Sequence, residues 1–127
     1  MPFLTGRRKK WLLHRTSVSH VHLLFDLSRE DVKVVLELNH NDESKRLEMF
    51  EKIEKYKGIM DQGFEQGLIW DFAYQRDSGQ EVCRIYVKLE GVDFHKQSQW
   101  EVMYEFMARQ MFQLETNFLE IRDLIKE

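Results

Sequence analysis

Trp100, Met103, Met107, Met111, Leu114, Phe118, Ile121 and Ile125 recur every three or four residues, with neither proline nor glycine among them. The spacing predicts a helix from about Gln97 to the end of the chain, roughly 40 Å long at about 1.5 Å per residue. A continuous apolar stripe of that length has to be buried, and a small sheet is the layer it can cross. The rest of the 127 residues must therefore supply that sheet.

Two pairs of segments have the period of strands. In "HVHLLFDL", residues 20–27, Val21, Leu23, Phe25 and Leu27 alternate with His20, His22, Leu24 and Asp26. "DVKVVLELN", residues 31–39, follows after a short polar turn and puts Val32, Val34, Leu36 and Leu38 on one face, which reads as a hairpin. "LIWDFAYQ" (68–75) and "EVCRIYVKLEG" (81–91) flank the turn residues "RDSG" in the same way. In the last of these Cys83, Ile85, Val87 and Leu89 form the core face, opposite a mostly wet Val82, Arg84, Tyr86 and Lys88. "WLLHR", residues 11–15, reads as a further, short first strand.

Between the pairs the period changes. Asn41 or Asp42 is suited to cap a helix on which Met49, Ile53, Tyr56, Met60 and Phe64 share a face, frayed near Gly58 and finished by Gly63 or Gly67. The expected architecture is α+β: β-β-β-α-β-β-α, an antiparallel sheet of about five strands with two helices on one face, the C-terminal one long. Phe112 and Leu119 lie off the main stripe and lack an internal use, which makes them candidates for self-association.

Composition narrows the class. A hydrophobic share of 43% with mixed charge is that of a folded chain, and the length fits one domain over residues 1–127. A single cysteine cannot form an internal disulfide, "WLL" is too short for a secretory signal, and no stretch approaches the ~20 apolar residues of a membrane span. These features suit a cytoplasmic protein without membrane contact. Five of the nineteen Lys and Arg lie in residues 6–15, and residues 1–9 read as a basic, partly flexible arm. The remaining fourteen face twenty-two Asp and Glu, so a basic edge is joined to an acidic body.

Several local signatures, "GRRKKWLLHRTSVSHVHLLFDL", "MFEKI" (49–53), "RIYVKLEGV" (84–92) and Trp100 at the head of the last helix, together resemble the bacterial domain-of-unknown-function family 4268 (DUF4268). "HRTSV" stands where that family's pattern has "YKTGV", and the additional N-terminal helix common in the family has no counterpart here. The resemblance extends from about Gly6 to Leu124 and implies a fold rather than a chemistry. Similar domains lie downstream of nuclease-like or restriction-associated regions, which implies a nucleic-acid context by association.

Arg7, Arg8, Lys9, Lys10, Trp11 and Arg15, with Arg84, Tyr86 and Lys88 on the wet face, form a candidate nucleic-acid surface, because clustered cations displace counterions and aromatic rings stack on bases. The simpler account is a solvated terminus that guards a strand edge. His20, His22 and Asp26 share a face and have the donors of a metal site, but strand spacing alone does not bring three or four ligands to about 2 Å. Asp26 and Glu37 on adjacent strands suggest a metal nuclease, yet Asn39 occupies the place of the required lysine, and Glu43 with Lys45 falls at a helix start. Cys83 belongs to the core period. No catalytic residue and no cofactor is expected. The sequence points to a non-enzymatic interaction domain that self-associates or binds a protein partner, with a nucleic-acid-binding accessory module as the alternative.

Overall fold

The computed structural model describes residues 16–126. Its elements are β1 (Val21–Leu27), β2 (Asp31–Leu38), α1 (Glu43–Glu54), α2 (Lys57–Met60), β3 (Ile69–Gln75), β4 (Glu81–Glu90) and α3 (Trp100–Ile125), the last entered through a 3-10 turn at Gln97–Gln99. The strands form an antiparallel sheet in the order β1-β2-β4-β3. The fold is α+β, as expected, with four strands among the described residues; the short strand expected at 11–15 lies outside them.

The period-2 apolar sets line up across the sheet. Leu23, Leu36 and Ile85 are successive partners, as are Phe25, Val34 and Val87. Phe50 and Ile53 of α1, Met60 of α2 and the stripe of α3 cover this face in one apolar cluster. Met103, Met107, Met111, Leu114, Phe118 and Ile121 are all 0% exposed, so the stripe is the lid of the core along nearly its whole length.

The middle helix differs from the expectation of one element. Asp42 caps α1 by accepting from the Lys45 N–H, but the helix ends at Glu54. Tyr56 N–H bonds to Ile53 O rather than to Lys52 O, a tightened last turn that separates α1 from α2. Gly58 lies within α2, while Gly63 and Gly67 carry positive φ angles of 80° and 73° in the turns beyond it. The face therefore carries three helical pieces.

Two side chains hold that break in place. Asn117 on α3 is 2% exposed and donates through Nδ2 to Met60 O (2.9 Å) and Gln62 O (2.8 Å), satisfying carbonyls left open where α2 ends. Asp61 accepts from the Leu68 N–H, from Trp70 Nε1 and from Lys57 Nζ. Burial pushes the Asp61 carboxyl up, but the hydrogen bonds from Lys57, Leu68 and Trp70 outweigh it, and the pKa lies below its ordinary 3.8.

Phe118→Ala is expected to destabilise the fold by about 3–5 kcal/mol, read as a lower denaturation midpoint at unchanged slope. A depressed carboxylate pKa contributes stability that is present above the unfolded value and lost as pH falls through the folded one. Stability is therefore expected to drop below about pH 4 with a contribution from Asp61, and Asp61→Asn should flatten that part of the acid limb in urea titrations run at a series of pH values.

Candidate interaction surfaces

The opposite face of the sheet is not the wet surface expected from the alternation in β4. Val35 and Val82 are 0% exposed, Glu37 1%, Arg84 6% and Tyr86 8%. Glu37 and Arg84 face each other directly across β2 and β4. Arg84 Nε donates to Glu37 Oε2 at 2.9 Å and its terminal nitrogen to Asp26 Oδ2 at 2.7 Å, so one guanidinium bridges carboxylates from two strands. Arg76 occupies the other Glu37 oxygen, and Arg76 in turn bonds Gln80 at 2.7 Å. The Tyr74 ring lies 4.1 Å from the Arg84 guanidinium carbon and meets Tyr86 edge to face.

This arrangement neutralises itself. Two arginines meet two carboxylates at the floor of a 450 Å³ cleft. Burial lowers the Arg84 pKa, but the Asp26 hydrogen bond and the nearby Glu37 charge outweigh it, so the guanidinium is held firmly charged. Both Glu37 oxygens are taken, and Asp26 and Glu37, the pair weighed as nuclease carboxylates, are joined by an arginine where such an enzyme would hold its cation.

Arg7, Arg8, Lys9, Lys10, Trp11 and Arg15 lie outside the described residues. Of the three candidates on β4, Arg84 and Tyr86 are buried, and Lys88 is partly exposed with Glu90 at 3.3 Å. His20, His22 and Asp26 do not converge: His20 precedes β1 with a φ of 64° and sets its ring 4.2 Å from that of His40, while Asp26 is held by Arg84. Among the described residues no three His, Cys, Asp or Glu side chains are grouped to hold a metal ion. Cys83 is fully buried, as its period requires; burial pushes its thiol up to about 11, against a smaller opposing effect of Arg46, so it is not a thiolate at neutral pH.

Helix α3 leaves Phe112 68% and Leu119 43% exposed, seven residues apart on one flank, as their position off the stripe implies. Val102 and Leu124 are exposed on the other flank, and Phe72 on β3 is exposed as well. Phe72 is turned outward at a register shift between Asp71 and Tyr74, which simple alternation does not anticipate. No helix is long and apolar enough to cross a membrane among the described residues.

Arg84→Met is expected to cost about 3 kcal/mol, because Asp26 and one Glu37 oxygen lose their cation while Arg76 keeps the other, and a companion Glu37→Leu should return only part of the loss. Denaturant midpoints of the two single variants and the double variant measure this coupling.

No curated protein and no solved structure matches the chain. The model of one family, described as a domain of unknown function, matches residues 3–122, and on that match the chain belongs to the DUF4268 family.

Proposed function

We propose that this domain is a non-enzymatic interaction module that self-associates through α3. The observation that carries the reading is the exposure of Phe112 and Leu119 on one flank of a helix whose apolar stripe is already spent on the core. They stand two turns apart, about 10 Å along the axis. Two such helices packed antiparallel about a two-fold axis between Glu115 and Thr116 would set each Phe112 against the second copy's Leu119, the self-complementary pairing that a symmetric dimer requires.

The same register brings one unlike and one like pair of charges together. It places Glu105 across from the second copy's Lys126, and where Arg109 meets Arg122 each already has a carboxylate neighbour on its own helix, Glu105 and Asp123 respectively. The self-neutralised sheet face supports a scaffold role for that side, since its arginines have no charge to spare for a phosphate backbone.

Light scattering on the full chain at about 100 μM is expected to give twice the 15.5 kDa chain mass. Phe112→Glu with Leu119→Glu should return the chain to its monomer mass with an unaltered melting temperature. A monomeric wild type, or a dimer that survives both substitutions, would overturn the proposal.

A further inference from the structure

We infer that the cavity between the turn before β1, α1 and the end of α3 binds the phosphate group of a small ligand. It encloses about 550 Å³, the size of a small-molecule site. Its basic lining comes from separate parts of the chain: Lys45 and Lys52 on α1 and Lys126 beyond α3, beside the imidazoles of His20 before β1 and His40 after β2. Arg46 stands with them, and Glu48 is the one carboxylate of the lining. Across residues 16–127 acids outnumber Lys and Arg by about three to two, and with Arg46 matched by Glu81 the lining still sets three lysines against one glutamate, which reverses the local balance.

The walls are held in place from behind. Thr16, 2% exposed, donates through its hydroxyl to Val21 O at 2.7 Å, fixing the turn in which both Ser17 and His20 adopt left-handed backbone. Arg46, with a side chain 6% exposed, donates to His40 O at 2.9 Å and to Glu81 at 3.0 Å, and its Nε is buried without a hydrogen-bond partner. His40 Nδ1 accepts from the Asp42 N–H, which leaves Nε2 as the donor of that ring.

Point charges that arrive from several directions suit a tetrahedral dianion better than a planar carboxylate, which is best met by one arginine fork. The remaining lining is uncharged, with Leu38, Met49 and Ile125 beside Ser17 and Ser19, so the space beside the cations suits an uncharged body attached to the phosphate.

The test is an NMR titration of the ¹⁵N-labelled full chain with AMP, inorganic phosphate and adenosine. AMP and phosphate are expected to move the amide signals of His20, His40 and Lys45, with adenosine at least about tenfold weaker than AMP. Lys45→Glu with Lys52→Glu should weaken AMP by at least about tenfold, and the equal charge change Lys55→Glu with Lys96→Glu, away from the cavity lining, should leave it within about twofold. AMP tighter than phosphate assigns the site to a phosphomonoester; equal affinity assigns it to free phosphate. Either result supports a phosphate site. Absence of shifts at about 10 mM phosphate or AMP, shifts confined to other residues, adenosine as tight as AMP, or an undiminished affinity in the cavity variant would overturn it.

Discussion

A sheet has two faces, and the long helix of this domain covers one of them. The apolar stripe from Met103 to Ile125 closes over Leu23, Leu36 and Ile85 so completely that the helical side of the molecule is settled by hydrophobic burial. That arrangement also uses up the helices. The second face, on which Val35 and Val82 are equally inaccessible, is organised by charge instead, through the bridge from Arg84 to Glu37 and Asp26. Such a pair adds little net stability over a hydrophobic substitute, because desolvating both ions costs most of what their attraction returns. Its contribution lies in register. A two-residue slip of β4 along β2 would set Glu37 opposite Val82 or Tyr86 and leave a buried carboxylate without its cation.

The elements that depend on local pattern were legible in the sequence. Strand alternation located all four described strands, and the three-four spacing located α3 to within a few residues. What escaped depends on partners distant in sequence. Arg84 looks like a surface residue because its neutralising carboxylates lie on β1 and β2, 58 and 47 positions away. Asn117 interrupts an otherwise apolar face, and nothing nearby announces that it serves the carbonyls of Met60 and Gln62. The break at Tyr56 has the same origin, since Met49, Ile53 and Met60 keep helical spacing across it and a single helix satisfies the pattern equally well.

Surface features were legible unevenly for the same reason. Phe112 and Leu119 stand out because a helix wheel separates them from the stripe without reference to anything else. The basic cavity draws its side chains from the two ends of the described chain, from the end of β2 and from α1, so no run of charge marks it. The conspicuous basic run at residues 6–15 and the hidden convergence around His40 therefore represent two different ways of concentrating charge on an acidic protein. The first is written in adjacent positions and the second exists only after folding.

The register shift in β3 has a consequence for the behaviour of the protein in concentrated solution. Among the described residues β3 borders the sheet, and a border strand offers unpaired amides and carbonyls to any extended peptide that drifts past. Between Asp71 and Tyr74 the regular ladder fails, and the Asp71 carboxylate turns back onto the Ala73 N–H at 3.0 Å. An incoming strand would meet a broken template, one of its central donors already engaged and a carboxylate standing beside it. The irregularity that hid Phe72 from a sequence reading thus acts as a guard against fibrillar growth.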